Sequence, residues 1–276
     1  MTRKDPVTVS EGDETATVRV ERDGVILRLT LDRPARRNAL TPAMVDTLVG
    51  ALTAAATDDA LRAIHLRGAG EHFCGGVDWV AANNDGTKPR PGNVLRRVPH
   101  TAHRVVELLH TVHLPVVCTV RGWAAGLGCN LALAADFTVA GREAVFWEPF
   151  LDRGFSPDSG STWLLPRLTG LARARRMLLL GEKIDGTRAE QWGLIHECCP
   201  GDALDATAEA LLARLASAPT VALGLAKQTL AQNLDTTLPQ AMTNELYALE
   251  LACRTRDFRE GLTAFRERRV PEFDGR

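Results

Sequence analysis

Residues 121–136 read RGWAAGLGCNLALAAD. The first half is a glycine-rich turn, and the second half has the composition of a buried helix beginning near Leu127 or Gly128. Glycine lets the chain turn sharply and bring its backbone close to a ligand. The first turn of a helix leaves N–H groups without partners, and the helix dipole adds positive potential there. Such a turn suits an anion, or an oxygen that becomes one. Chemistry at that oxygen needs an acid or a base, and this stretch offers only Asn130 at its rim.

A second glycine turn, HFCGGVDW (72–79), follows the short apolar strand AIHLRG (63–68). The opening turn follows the strand of PVVCTVRG (115–122) in the same way. If the two strands are sheet neighbours, their turns lie at one sheet edge. Their N–H groups can then converge on a single oxygen as an oxyanion hole. Either turn alone is equally well read as an ordinary strand-to-helix connection, because glycine marks turns generally.

Further out, ATVRVE and VILRLTL flank Arg22-Asp23-Gly24, which predicts a hairpin. A helix is expected from Pro42 to about residue 57, with Thr41 as N-cap and proline at the first helical position. Residues 81–93 read as a loop, and 94–112 carry helical spacing through Val94, Val98, Val105, Leu108 and Leu109. FTVAG and AVFW read as further strands. This alternation predicts an α/β fold with crossover connections. Beyond about residue 158 the strand signals fade. The expected organisation is a loose tail over 1–14, an α/β core over 15–195 and a helical region over 196–276.

The chain has 276 residues, 45% apolar and 24% charged, with a formal net charge of -1. That is the balance of a soluble globular protein, and it favours neither a nucleic acid nor an anionic membrane as partner. The six cysteines have no metal-binding spacing. The polar N-terminus lacks the apolar segment of a signal peptide. The expected location is the cytoplasm.

LDRPARRNAL (31–40), HFCGGVDW (72–79), LPVVCTVRGWAAGLGCNLALAADF (114–137), GFSPDSGSTWLLPRLTG (154–170), IDGTRAEQWGLI (184–195) and REGLTAFRERRVPEFDGR (259–276) resemble the crotonase family, the enoyl-CoA hydratases and isomerases. The resemblance runs in order over nearly the whole chain. It implies a β-β-α spiral core with a helical C-terminal trimerisation region. It implies an acyl-CoA thioester as substrate, with CoA part of that substrate and no separate cofactor or metal. It also implies self-association as a homotrimer or a dimer of trimers. The hole donors would be the N–H groups of Val77 and Leu127, within turns that include Gly76 and Gly126. They would stabilise the enolate formed when a proton leaves or joins the carbon beside the thioester.

Family hydratases carry two glutamates, and the matching positions here are Asn130 and Phe150. Neither can exchange a proton at neutral pH. Asp158, in PDSG, matches the aspartate that serves as acid/base in a subset of the family that includes ring-opened and epoxide phenylacetyl-CoA isomerases. One carboxylate suffices for double-bond migration. Burial against Trp163 or Phe150 would raise its pKa. Read without the resemblance, Asp158 is better explained as the cap of a helix beginning near Ser159. Glu148 and Asp152 rank below it, because strand alternation can point either out of a pocket. Asp78 is expected to pin its loop, and His65 to be a core histidine. Trp79 is expected in the pocket wall, and residues 80–93 beside it. The resemblance places Arg33 and Arg36 in the segment that wraps CoA, and Lys227 and Arg266, with Phe265 beside the last, among groups that hold CoA, the C-terminal helix reaching the nucleotide of a neighbouring subunit.

The leading expectation is thus an enoyl-CoA isomerase. A hydratase or C–C hydrolase using Asp158, or a water held by Asn130, is the alternative. A catalytically silent CoA-binding trimer is a third reading.

Overall fold

The computed structural model of the chain describes residues 17–78 and 91–276. The expected tail over 1–14, Trp79 and the loop to residue 90 lie outside the described residues. β1 (Thr17–Asp23) and β2 (Ile26–Asp32) form the hairpin foreseen around Gly24, paired antiparallel from Thr17↔Asp32 to Asp23↔Ile26. α1 (Pro42–Ala55) starts where the Thr41 side chain accepts a hydrogen bond from the Met44 N–H. It buries Met44, Val45, Leu48, Leu52 and Ala55.

β3 (Ala63–Gly68) follows. The helical spacing over 94–112 resolves into three pieces: α2 (Asn93–Arg97), a 3-10 turn over Val98–His100, and α3 (Ala102–Thr111). Pro99 explains the interruption, because it lacks an N–H and crowds the preceding turn. Then come β4 (Val116–Val120), β5 (Trp123–Ala125) and α4 (Leu127–Ala134), the helix of the opening stretch. All eight α4 residues are buried, so this helix sits between layers rather than on the surface.

β6 (Phe137–Gly141), β7 (Val145–Trp147) and a 3-10 turn over Leu151–Arg153 lead to α5 (Ser161–Thr169) and α6 (Leu171–Leu180). Two short strands then appear where the sequence showed none: β8 (Ile184–Asp185), and β9 (Glu197–Cys199) after α7 (Gly186–Gln191). β9 pairs with β6, so the sheet extends past the expected boundary at residue 195. The remainder is helical: α8 (Leu204–Ala216), α9 (Thr220–Asn233), α10 (Leu238–Ala252) and α11 (Arg256–Glu267).

The strands form two sheets. The larger has the order β1-β2-β3-β4-β6-β9, and the smaller β5-β7-β8. In the larger sheet every pairing except the hairpin is parallel. β4 hands over to β5 through Gly122, and β6 to β7 in the same manner, so each rung feeds one strand to each sheet before a helix. This is the β-β-α spiral. β3 and β4 are direct neighbours, with Ile64↔Val116 through Arg67↔Thr119. The two glycine turns therefore leave one edge side by side.

Candidate active site

Beyond β3, residues 73–77 run alongside the start of the second turn. The Phe73 N–H donates to the Arg121 carbonyl at 2.7 Å, the Cys74 N–H to Trp123 O at 2.8 Å, and the Ala125 N–H to Cys74 O at 3.0 Å. The other flank of this segment is tied to the 37–40 loop: Leu40 N–H donates to Gly76 O (2.8 Å) and Asp78 N–H to Leu40 O (3.0 Å). These bonds leave the N–H of Val77 over. The Leu127 N–H is likewise unused, as the first residue of α4, whereas its neighbour Gly126 donates to Trp147 O at 2.8 Å. Among the described residues, neither the Val77 nor the Leu127 N–H has a backbone acceptor.

The two segments cross at glycines. Gly76 has φ +94°, and a Cβ there would lie 2.8 Å from Ala125 O and 3.9 Å from the Leu127 nitrogen. A Cβ on Gly128 would lie 2.6 Å from Cys74 O. Only residues without a side chain allow this approach.

Both free N–H groups border a cavity of about 300 Å³. Its wall includes Gly76, Val77, Gly126, Leu127, Phe150 and Asp158, with Pro42 and Val45 of α1 and residues 93–102 opposite. Phe150 packs edge-on against Phe155 at 5.6 Å between ring centroids. An adjoining cleft of about 520 Å³ is bordered by Arg36, Gly75, Asp78 and Arg153 and shares Val77 with the cavity. A thioester oxygen placed between the two amides would have hydrocarbon walls on one side and arginines on the other.

Asp158 is the one carboxylate among the described residues lining the cavity. It does not cap a helix. α5 begins at Ser161, its N-cap is Gly160, and Asp158 contributes only its main-chain oxygen, which accepts from Ser161 N–H (3.1 Å) and Ser161 Oγ (3.0 Å). Its side chain is positioned from next door. Ser159 Oγ donates to Asp158 Oδ1 at 2.9 Å, and Ser159 itself sits at φ +54°. The Ser159 N–H donates to His103 Nε2 on α3 at 3.2 Å, and that nitrogen lies 3.8 Å from Asp158 Oδ2. The sequence reading singled out neither His103 nor Ser159. Only the positive φ of Ser159, invisible in the sequence, marks this turn as held from across the cavity.

The model of the enoyl-CoA hydratase/isomerase family matches residues 21–276. The chain belongs to that family. It is 39% identical over 251 residues to the 1,2-epoxyphenylacetyl-CoA isomerase of Escherichia coli K12, covering 91% of this chain and 95% of the relative. It is 35% identical over 264 residues to the 2,3-dehydroadipyl-CoA hydratase of the same organism, covering 93% and 98%. The enoyl-CoA hydratase structure from Bacillus anthracis superposes with a TM-score of 0.87 at 28% identity, over 94% of this chain and 99% of that one. The protein is therefore an enoyl-CoA hydratase/isomerase family enzyme whose substrate is an acyl-CoA thioester.

Several expected site residues have other roles in this family member. Arg33 is 6% exposed, and its guanidinium donates to Asp78 Oδ2 (2.7 Å) and Ala39 O (3.1 Å). It clamps the loop that carries Val77 rather than reaching for CoA. Lys227 is also turned inward, with Nζ donating to Leu109 O, Leu114 O and Asp136 Oδ2 at 3.1, 3.1 and 2.7 Å. It ties α9 to the end of α3 and cannot also hold a phosphate. Trp163 lies outside the cavity wall, edge-on to His110 at 5.3 Å with the Arg167 guanidinium over its face.

Asn130 is fully buried, does not line the cavity, and donates through Nδ2 to Gly126 O at 3.2 Å. It steadies the turn, and its Oδ1 has no partner among the described residues. Phe265 and Arg266 lie on α11 apart from this chain's own cavity, Phe265 being 84% exposed, as residues expected to reach a neighbouring subunit's nucleotide can be. Arg36 borders the adjoining cleft.

Glu148 was ranked low and does not line the cavity, yet it is chemically unusual. It is wholly buried just before Pro149 and Phe150, and neither carboxylate oxygen has a hydrogen-bond partner among the described residues. Burial pushes its pKa well above the ordinary carboxylate range, and the nearby negative charge of Asp158 adds to the rise. Burial thus favours the protonated form of this group. Asn38, also unremarked in the sequence, is buried and bonds Arg33 N–H through Oδ1 (2.8 Å). Its Nδ2 donates to Ala69 O and His72 O at 2.9 and 2.6 Å. It fastens the first glycine turn to the 33–38 loop.

Proposed function

We propose that the enzyme migrates the double bond of an enoyl-CoA, with Asp158 as its single acid/base. The reading rests on one observation: among the described residues, the cavity that carries two N–H groups without a backbone acceptor is lined by one carboxylate, Asp158, and no other acid. Asp158 takes a proton from the carbon next to the thioester of a 3-enoyl-CoA. The electron pair moves into a dienolate whose oxygen is held by the Val77 and Leu127 N–H groups. The carboxylic acid then returns the proton two carbons further along, giving the 2-enoyl-CoA. Fixed donors aimed at the developing oxyanion lower the barrier without reorganisation. The similarity to an isomerase of 1,2-epoxyphenylacetyl-CoA supports this choice.

Hydration is the second reading, favoured by the similarity to a 2,3-dehydroadipyl-CoA hydratase. It would leave Asp158 to both deprotonate water and protonate carbon, since Asn130 is buried away from the cavity. The CoA phosphates are assigned to the cleft bordered by Arg36 and Arg153. Self-association is assigned to the helical end, where Leu238, Met242, Leu246 and Leu249 of α10 are exposed on one chain. Light scattering on the purified protein tests a trimer against a hexamer.

The decisive experiment incubates the enzyme with 3-enoyl-CoA and 2-enoyl-CoA in deuterated water. Migration with label uptake supports the isomerase, and hydroxyacyl-CoA supports the hydratase. Binding without turnover supports a silent CoA-binding protein. Asp158→Asn is expected to lower kcat by roughly 10²- to 10⁴-fold, the usual worth of a positioned acid/base, with substrate binding retained. A rate near that of the wild type removes Asp158 from the mechanism.

A further inference from the structure

We propose that the cavity selects acyl groups whose far end carries a carboxylate, and that Arg97 is the group that recognises it. The inference rests on the reading that this cavity holds the acyl part of a CoA thioester. The cavity is apolar on the side of α1 and Phe150, but its opposite wall is mixed. Residues 93–102 present Asn93, Arg97 and Thr101 at intervals of four, and Val94, Val98 and Ala102 beside them. Asn93 and Arg97, four apart on α2, share a helical face, while Val98, Thr101 and Ala102 join the wall from beyond the end of α2, so polar and apolar groups lie together along it.

Two arginines border the cavity, Arg97 and Arg153, and among the described residues neither guanidinium has a hydrogen bond or an ion pair. The side chain near Asp158 is the His103 imidazole, at 3.8 Å, rather than either arginine. The two arginines differ in position. Arg153 also borders the cleft that contains Arg36, so it stands where cavity and cleft meet. Arg97 borders the acyl cavity alone.

A guanidinium presents a planar fork of donors that matches a carboxylate with two parallel bonds. An alkyl chain pressed against it would remove water from the charge and return nothing. A terminal carboxylate meets the Arg97 fork, with the Asn93 amide on the same face of α2, while the intervening methylenes lie along Val94 and Val98. The wall therefore favours a dicarboxylic acyl group over a hydrocarbon chain of the same length.

Calorimetric titration with saturated thioesters tests this without requiring turnover. The probes are hexanoyl-CoA and adipyl-CoA, which differ only in a terminal methyl or carboxylate, with glutaryl-CoA to vary the length. Wild-type enzyme is expected to bind a dicarboxylic ester at least tenfold more tightly than hexanoyl-CoA, and added salt should shrink the gap. Arg97→Leu, a change at an exposed helical position, should abolish or reverse the preference. Arg153→Gln should weaken all the esters alike. Equal or tighter binding of hexanoyl-CoA by the wild type overturns the inference and leaves the proposed function standing, as does a preference that survives in Arg97→Leu. Failure of every ester to bind removes the acyl-CoA reading of the cavity and this inference with it.

Discussion

Gly128 offers a way to separate the two halves of the oxyanion hole without touching either donor. It is the second residue of α4, directly after Leu127, and it packs on Cys74, three residues before Val77. A methyl group there would lie 2.6 Å from Cys74 O, 2.7 Å from Cys74 Cβ and 2.9 Å from Cys74 Sγ. Ordinary contact begins near 3.4 Å, so Gly128→Ala must part the segments by about 0.8 Å, 3.4 less 2.6. The nearest atom is backbone and cannot rotate away. Overpacking of this kind costs about 1–3 kcal/mol, which in a chain of this size lowers Tm by roughly 2–12 °C. The catalytic effect should be larger than the stability effect. A displacement near 1 Å in a positioned site costs about 10²-fold in rate, and a lost hole donor about 10²–10³ in kcat. Steady-state kinetics on the substrate identified by the isotope experiment, beside a thermal melt, give both numbers. Gly50→Ala, in α1 with nothing within 4 Å of the added carbon, serves as control and should leave kcat unchanged. The expected result for Gly128→Ala is a folded enzyme with kcat down about 100-fold. A folded variant with kcat within twofold of the wild type would refute the claim that this crossing sets the spacing of the two donors.

Two buried groups should bound the pH range of stability from opposite sides. His65 accepts from Arg28 at Nδ1 (3.0 Å) and meets Thr119 Oγ1 through Nε2 (2.7 Å), and burial, then the charges of Arg67 and Arg28, lowers its pKa to about 4. The unfolded chain takes up that proton near pH 6.5 and the folded one only near 4, so stability is lost as pH falls between those values. The loss amounts to about 3 kcal/mol. Urea unfolding at pH 7.5 and 4.5 should show His65→Gln losing correspondingly less, and an unchanged difference would exclude His65 as the cause. Glu148 acts in the other direction: its raised pKa means the folded state keeps a proton that the unfolded state releases, so stability declines as pH rises above the ordinary carboxylate value. Glu148→Gln should flatten that decline between pH 5 and 8, and an equal slope in both proteins would show Glu148 to be ionised in the fold. His103→Ala removes the acceptor of the Ser159 N–H, a bond worth about 1 kcal/mol. A roughly fivefold fall in kcat with little change in KM is expected, and unchanged kinetics would show that Ser159 holds Asp158 unaided.

The glycine turns, α4 and the hairpin were legible because their causes are local. A turn needs glycine where the backbone bends, and a buried helix needs small apolar residues on every face. The two N–H groups without a backbone acceptor were legible for the same reason, since they are main-chain groups placed by those turns. β8 and β9 were not, because strands of two and three residues are too short to show a period. They exist only through pairing with β7 and β6. The break at Pro99 was written in the sequence but masked by apolar spacing that continued across it.

Side-chain roles divide along a different line. Sequence proximity to a motif put Arg33 and Lys227 among the CoA-binding groups, yet each is used up by a carboxylate that the fold brings in: Asp78, 45 positions along the chain, and Asp136, 91 positions away. Asn130 and Glu148 show the same dependence for buried groups. One stands where the family's glutamate would be and faces the turn. The other is shut inside although its neighbours Pro149 and Phe150 both line the cavity. Charge at a position thus says little until its partners are known. Once they are, the arginines sort themselves physically. A guanidinium already matched to a carboxylate holds the protein together, and Arg33 does so beneath Val77. One that borders a cavity with no partner, as Arg97 does, carries unsatisfied hydrogen-bonding capacity into the space where a ligand must lie. That capacity, rather than nearness to a motif, is the property from which the far end of the substrate can be read.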